Sequence, residues 1–337
     1  MLSLGFGLPA AWLAKRLNLL DVPGSAPHKQ HARPTPLAGG LLMFATLACM
    51  AFVFRTALTR EILVVLVGAA MIFLFGLWDD LKGLSAAPKL VGQVIASIIL
   101  ISFGVQVRFM TILFTAYNLS PEAAQILNIF ITLFWLIGIT NALNMIDSMD
   151  GIVAGIGIIA SAFFMGASSL SGQMHLAQWS VALLGLSVGL YIWNGLAARF
   201  FLGDSGAQTL GFLLASFGIL YNPLNRSPES SWIVPILLLG VPIFDTSLVV
   251  LSRIRRKQRV GSGRRDHTYH RFIRLGMSPR YAVFSVHAMA LIISSLAFLS
   301  LYFHPWIALI FFLAALLGGL IFLLWLERQP TLDDTSE

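Results

Sequence analysis

The chain has 337 residues, 57% of them hydrophobic and only 11% charged, with a mean hydropathy of +0.83 and a formal net charge of +7. A soluble domain carries roughly 25% charged residues, so the composition excludes an ordinary globular protein and points to an all-α, polytopic integral membrane protein. The lone Cys49 lies in an apolar run, which rules out an intrachain disulfide and argues against a reactive thiol.

About 20 apolar residues suffice to cross a bilayer. Eleven stretches are candidates, in chain order roughly 1–14, 37–54, 61–78, 89–107, 124–142, 152–171, 176–194, 206–222, 232–251, 281–302 and 305–326. The first is short, so the expectation is about 10–11 transmembrane helices. An odd number places the two ends on opposite sides. With the N-terminus outside and the C-terminus inside, 18 of the 22 Lys and Arg residues lie on the inner side, ten of them between 252 and 280. Only Arg55, Arg60, Arg108 and Arg226 remain outside. Cytoplasmic loops concentrate Lys and Arg, so the net charge reports topology and not nucleic acid. No cleavable signal peptide is expected, because no basic residue precedes the first apolar stretch. Residues 1–326 read as one multi-helix domain. Its cytoplasmic loops fall at about 15–36, 79–89, 143–151, 195–206 and 252–280, and 327–337 reads as a short cytoplasmic tail.

The inner loops carry the chemistry. The first reads His28-Lys29-Gln-His31-Ala-Arg33-Pro34-Thr35-Pro36-Leu-Ala-Gly39-Gly40, in which Lys29 and Arg33 are candidate anion contacts. The glycine pair suits close backbone packing. Asp79 and Asp80 follow at the end of the 61–78 stretch, and adjacent carboxylates repel unless a cation, a proton or a positive partner intervenes. The stretch Asn141-Ala-Leu-Asn144-Met-Ile-Asp147-Ser-Met-Asp150-Gly151 sets ionisable groups against apolar runs, where each is a candidate functional residue. On a helical turn Asn144, Asp147 and Asp150 would share a face, and two carboxylates with an amide can hold a divalent cation or a polar ligand. A plain hydrophilic loop tip is the competing reading. Gly203-Asp204-Ser205-Gly206 gives a tight turn that can aim one carboxylate. The 252–280 loop contains Arg264-Arg265-Asp266-His267-Thr268-Tyr269-His270-Arg271, whose guanidinium and imidazole donors suit a diphosphate, although its first half also fits a polybasic strip on anionic lipid. Asp245, near the inner end of its stretch, is expected to face the protein interior. Carboxylates for Mg²⁺ and His/Arg donors for phosphates, all on one side, point to phosphoryl-group chemistry at the inner face of a membrane.

In this order, Pro36-x-x-Gly39-Gly40, Asp79-Asp80, Asn141-x-x-Asn144-x-x-Asp147-x-x-Asp150-Gly151, Gly203-Asp204-x-Gly206, Pro242-x-Phe-Asp245-Thr246 and His267-x-x-His270-Arg271 resemble the polyprenyl-phosphate N-acetylhexosamine-1-phosphate transferases of glycosyltransferase family 4. Within these they look most like the WecA/TagO type and more distantly like MraY. The resemblance covers residues 28 to 280. It implies a Mg²⁺-dependent transferase of the bacterial cytoplasmic membrane, with Mn²⁺ able to substitute. A UDP-amino sugar such as UDP-GlcNAc would give its sugar 1-phosphate to undecaprenyl phosphate, releasing UMP and initiating a cell-envelope polysaccharide such as O-antigen or teichoic acid. By the same resemblance Asp79, Asp80, Asp147 and Asp150 would be catalytic, Asp204 and Asp147 metal ligands, and Asn144, Asp150, His267, His270 and Arg271 nucleotide and diphosphate contacts. Lys29 and Arg33 would meet the anion or lipid phosphate. Membrane lipid surrounds such an enzyme, a homodimer is allowed, and nucleic acid is not a partner.

Two positions depart from the family pattern: Tyr269 stands where a histidine is usual, and Ala207 where a serine is. Tyr can donate a hydrogen bond but is uncharged at neutral pH. A donor carrying a deoxyamino sugar, such as UDP-N-acetylfucosamine or UDP-N-acetylquinovosamine, is the alternative within the family. An ion-coupled transporter would place its carboxylates near the midplane and show inverted repeats, and a catalytically inactive relative would have no need of five carboxylates.

Overall fold

A computed structural model describes residues 1–23, 33–108, 120–223, 225–226, 229–258 and 266–329. Among the described residues the regular structure is helical apart from a two-residue antiparallel ribbon, β1 (Leu20–Asp21) with β2 (Thr35–Pro36), in which Leu20 faces Pro36, and an isolated bridge between Leu37 and Phe201. Among the described residues the helices are α1 (Leu2–Arg16), α2 (Gly39–Val53), α3 (Arg60–Lys82), α4 (Ala86–Ser102), α5 (Pro121–Ile146), α6 (Ile152–Leu170), α7 (Met174–Leu190), α8 (Gly203–Leu220), α9 (Ser230–Leu238), α10 (Gly240–Arg255), α11 (Thr268–Arg274), α12 (Pro279–Ser300) and α13 (Pro305–Glu327). Each of the eleven apolar stretches carries a helix. Among the described residues six helices are long and apolar enough to cross a membrane: α3, α5, α6, α7 with its extension to Leu196, α12 and α13.

The remaining stretches differ for identifiable reasons. The expected span at 232–251 is two helices, α9 and α10, bent by 65° at Leu239. Pro242 has no N–H for the carbonyl of Leu238, and its ring crowds that carbonyl, so the helix breaks there. Helices α2 and α4 are apolar but shorter than a usual span. Helix α8 is the centre of the fold: every residue from Ser205 to Gly218 is buried. It packs against α2, α3 and α5, so protein and not lipid surrounds it. That is why it tolerates Gln208, Thr209 and Ser216. By contrast only 11% of the apolar window of α13 is buried, and Leu313, Leu316, Leu317, Leu320 and Leu324 face outward.

Local signals place the helix ends. Thr59 Oγ1 accepts from Ile62 N at 3.3 Å to cap α3, and Ser120 Oγ accepts from Ala123 N at 3.3 Å to cap α5 behind Pro121. Such caps satisfy donors that the first turn leaves open. Small residues then let α8 approach its neighbours. A Cβ on Gly76 would lie 2.5 Å from Ser205 Cα, and one on Gly40 would lie 2.2 Å from Ser205 Oγ. The close packing expected of the Gly39-Gly40 pair is thus present. The strap before it is tied down as well, since Phe201 N donates to Pro36 O at 2.9 Å and Ala38 N to Phe201 O at 3.2 Å.

Two boundaries move. Asp79 and Asp80 belong to α3, which runs to Lys82, so the 79–89 loop contracts to residues 83–85. Glu327, expected at the start of a tail, is 3% exposed and paired with Arg255. Lys29, Arg264, Arg265 and the tail from 330 onward lie outside the described residues.

Candidate active site

The carboxylates collect where the C-terminal end of α3, the start of α4, the N-terminus of α8 and the turn after α5 meet. Asp79 and Asp80 are neighbours on a helix, so they point about 100° apart, and the structure gives them different work. The Asp79 carboxylate is 6% exposed, accepts from Leu84 N at 2.5 Å, and pairs with the ammonium of Lys89 on α4. Lys89 Nζ also lies 2.7 Å from Asp204 Oδ2. One cation therefore joins carboxylates from α3 and α8. Asp80 instead receives the first turn of α8. Its Oδ1 accepts from Asp204 N at 2.8 Å, while its Oδ2 accepts from Ser205 N at 3.1 Å and Ser205 Oγ at 2.5 Å. A helix N-terminus offers open N–H groups and a positive dipole end to such an anion. Gly203 makes the approach feasible: it has φ 71°, and a Cβ there would lie 2.7 Å from Asp80 Oδ2.

The Asn141–Gly151 stretch does not remain helical. Helix α5 ends at Ile146, Asp147 leaves helical geometry at ψ 67°, and Gly151 is left-handed at φ 81°. Asp and Ser side chains compete with helical backbone bonds, so Asp147 and Asp150 stand on a turn, not on one helical face as the spacing suggested. The half-buried Asn144 has no side-chain hydrogen bond among the described residues, so its amide is open to a ligand. Burial pushes the Asp147 carboxyl up to about 8, with the Asp150 and Asp80 charges adding to the effect. Asp150 is exposed.

The turn is held by Asn194. It lies in a π-helical stretch, Tyr191–Leu196, that continues α7, and π-turns recur at functional sites. Asn194 Oδ1 accepts from Gly151 N at 2.8 Å, and its Nδ2 donates to Phe200 O at 3.1 Å and reaches Asp150 Oδ1 at 3.5 Å. In the sequence only its place inside an apolar run signals Asn194, and Lys89 reads there as no more than a loop charge. One turn deeper, Gln93 pairs with Asn141 (2.7 and 3.3 Å) and with Gln208 (2.9 Å), joining α4, α5 and α8 beneath the carboxylates.

The basic loop reaches this turn through Tyr269. Its hydroxyl donates to Ser148 Oγ at 2.6 Å and lies 2.9 Å from His270 Nε2. The Tyr at this position is therefore a strut between the loop and the Asp147 turn. Ala207, the other departure, is fully buried inside the bundle. His267 Nδ1 lies 2.7 Å from Asp245 Oδ2, and Thr268 N donates to Asp245 Oδ1 at 2.7 Å. Asp245 is fully buried, as expected. Arg271 turns away from the site. It is fully buried, and donates to Ser252 Oγ at 2.9 Å and to the carbonyls of Asp266, Leu326 and Gln329 at 3.2, 2.5 and 3.3 Å. It anchors the end of α13, because the orphan carbonyls of a helix C-terminus attract a guanidinium. Arg253 and Asp266, both buried, form a two-pronged ion pair at 2.8 and 2.9 Å. Arg33 is exposed just before β2.

Among the described residues no three His, Cys, Asp or Glu side chains converge as a ready metal cage. The Lys89 ammonium between Asp79 and Asp204 instead marks a place built to neutralise a cation's worth of charge.

Residues 62–222 match the family model described as glycosyl transferase family 4. The chain is 30% identical over 287 residues to the probable undecaprenyl-phosphate N-acetylglucosaminyl 1-phosphate transferase of Bacillus subtilis (strain 168), covering 84% of this chain and 77% of the relative. It is 30% identical over 325 residues to the decaprenyl-phosphate N-acetylglucosaminephosphotransferase of Mycobacterium tuberculosis, covering 88% and 79%. The undecaprenyl-phosphate alpha-N-acetylglucosaminyl 1-phosphate transferase of Escherichia coli (strain K12) is 25% identical over 313 residues, with 90% and 83% covered.

Proposed function

This chain belongs to glycosyl transferase family 4, and we propose on that premise that it transfers N-acetylglucosamine 1-phosphate from a UDP-linked donor to undecaprenyl phosphate. An oxygen of the lipid phosphate attacks the sugar-bearing phosphorus. A new phosphorus–oxygen bond forms, the bond to the bridging oxygen breaks, and UMP leaves with the electron pair. The observation that carries this reading is the convergence of Asp79 and Asp204 on one cation at the end of an apolar bundle.

Two anionic phosphates approach each other only if charge between them is neutralised. Mg²⁺ binds through one or two carboxylates and completes its shell with water and substrate phosphates, so the Asp79 and Asp204 oxygens that share Lys89 fit it without a preformed cage, and Asp147 is proposed as a further ligand. When bound, Mg²⁺ or Mn²⁺ would polarise the phosphoryl oxygens and screen their charge. The protein's own contribution is positional. Asp80 holds the first turn of α8 and thereby aims Asp204. Asn194 fixes the Asp150 turn, where Asn144 and Asp150 would read the nucleotide. Lys89 balances the carboxylates, and His267 and His270 would contact the diphosphate. Arg33 and Lys29 are proposed contacts for the lipid phosphate, while the structure turns Arg271 to an anchoring role.

The site is proposed to face the cytoplasm of a bacterial inner membrane, as the clustering of Lys and Arg on that side supports, and the product would start a cell-envelope polysaccharide. The test is UMP release by the detergent-purified protein from UDP-N-acetylglucosamine, UDP-N-acetylfucosamine and UDP-N-acetylquinovosamine, with and without undecaprenyl phosphate, in Mg²⁺ or EDTA. Release that needs both lipid and metal is expected, fastest with UDP-N-acetylglucosamine. Release independent of the lipid would refute the transferase.

A further inference from the structure

Asp245 is out of place for a membrane helix. It lies on α10, is fully buried, and takes no part in the carboxylate cluster around Lys89. Both of its oxygens are committed to the start of α11: one to His267 Nδ1 and the other to Thr268 N, each at 2.7 Å. An ionised carboxylate can only accept, so Nδ1 must be the donor. That settles the ring's orientation. It also leaves Nε2 as the free edge, since His267 makes no further hydrogen bond among the described residues. The ring stands in a row with two others, 6.3 Å from Tyr269 and 6.0 Å from His270, centre to centre. Tyr269 in turn is bonded to Ser148, beside Asp147. The loop's rings therefore sit against the turn that borders the active site.

We propose that Asp245 is a positioning residue: it orients His267 and keeps it an imidazolium, so that Nε2 presents a charged N–H to a phosphate oxygen of the donor's diphosphate. This rests on the transferase reading above. The charged groups around the ring agree with it. Burial alone would pull the His267 imidazole down, but the Asp245 charge and its hydrogen bond, with Asp266 behind them, outweigh burial and the opposing Arg253 and hold it above the usual histidine value. Arg253 and Asp266 largely cancel each other as a bonded pair, and the other titratable groups beside the ring are Tyr269 and His270 on α11. A carboxylate behind an imidazole fixes both its proton and its angle. The same geometry explains why an ionisable group is retained inside α10, where an unpaired one would be costly.

The experiment measures binding of UDP-N-acetylglucosamine with Mg²⁺ by calorimetry, across the pH range in which histidine titrates, on wild type, Asp245→Asn, His267→Gln and the double variant. Asn keeps an oxygen for Thr268 N but turns an amide NH2 towards Nδ1, so it removes both the charge and the acceptor that hold the ring. Wild-type affinity should fall as pH rises through the elevated His267 value, because the imidazolium is lost. Asp245→Asn should weaken binding about tenfold or more and move that fall to lower pH. His267→Gln should abolish the fall, and Asp245→Asn should add nothing to it. An unmoved pH profile in Asp245→Asn, or additive losses in the double variant, overturns the proposal. A folded wild type that binds no donor overturns the transferase reading and this inference together. Nitrogen-15 spectra of the wild-type imidazoles, with His267→Gln for assignment, give a reading that needs no Asp245 variant: His267 must carry both ring protons at neutral pH, and a neutral ring overturns the proposal.

Discussion

Replacing Asp80 tests the division of work within the Asp79–Asp80 pair. Its carboxylate takes three hydrogen bonds from the first turn of α8: Asp204 N at 2.8 Å, Ser205 N at 3.1 Å and Ser205 Oγ at 2.5 Å. A hydrogen bond to a charged group contributes about 1.5–3 kcal/mol, and bonds that share one carboxylate are not additive. Asp80→Ala should therefore cost about 3–5 kcal/mol. For a chain of this size each kcal/mol moves Tm by about 2 °C, which predicts a fall of about 6–10 °C. Asp80→Asn keeps one acceptor and should fall between Ala and wild type, while Ser205→Ala, losing only the hydroxyl bond, should change Tm least. Activity should follow the same order, because Asp204 is aimed by that turn. The assay is thermal unfolding in detergent alongside UMP release. An Asp80→Ala protein with unshifted Tm and no activity would make Asp80 a reacting group and refute its role as the anchor of α8.

Asp204→Asn should cost about a hundredfold or more in UMP release with the fold intact; near wild-type turnover would remove Asp204 from the metal role. Lys89→Met should leave Asp79 and Asp204 without their shared cation, so Mg²⁺ should raise the variant's Tm by more than it raises that of wild type. Equal shifts in the two proteins would show that Lys89 and the metal do not share the carboxylates. Asp147 sets a pH dependence. In the metal-free fold it keeps its proton up to about pH 8, whereas the unfolded chain releases it near 3.8. The group is neutral to stability below the unfolded value and weakens the fold progressively as pH rises from there towards 8. Mg²⁺ must displace that proton, so binding at neutral pH should release protons to the buffer, and Asp147→Asn should abolish the release. Proton release undiminished in that variant would assign it elsewhere.

Much of the architecture follows from residues read in order. Apolar stretches of near-span length mark the helices. Ser120-Pro121 and Thr59 mark helix starts by the same capping chemistry that the structure displays. Of the polar elements in the resemblance, the structure brings Asp79, Asp80 and Asp204 together, with Asp147 and Asp150 on the adjoining turn, and turns Arg271 away. The break at Pro242 and the end of α5 at Ile146 were also in reach. Pro and an Asp-Ser-Met-Asp-Gly run disfavour helix, but they compete with long apolar flanks that argue for continuing it.

What the sequence by itself determined is which chemical groups each helix end can offer, because composition and period act locally. Which of those offers meet was decided only by tertiary packing. Asp79 and Asp80 are indistinguishable as letters, yet a rotation of 100° sends one to Lys89 and the other to the N-terminus of α8. Arg271 reads as a phosphate donor beside two histidines, yet the end of α13 arrives from 55 residues away and takes it. Asn194 and Gln93 look like stray amides until α7 and α4 bring them against the Asp150 turn and Asn141. A buried polar group must find a partner, and that partner comes from whichever helix the packing of small residues along α8 has brought within reach.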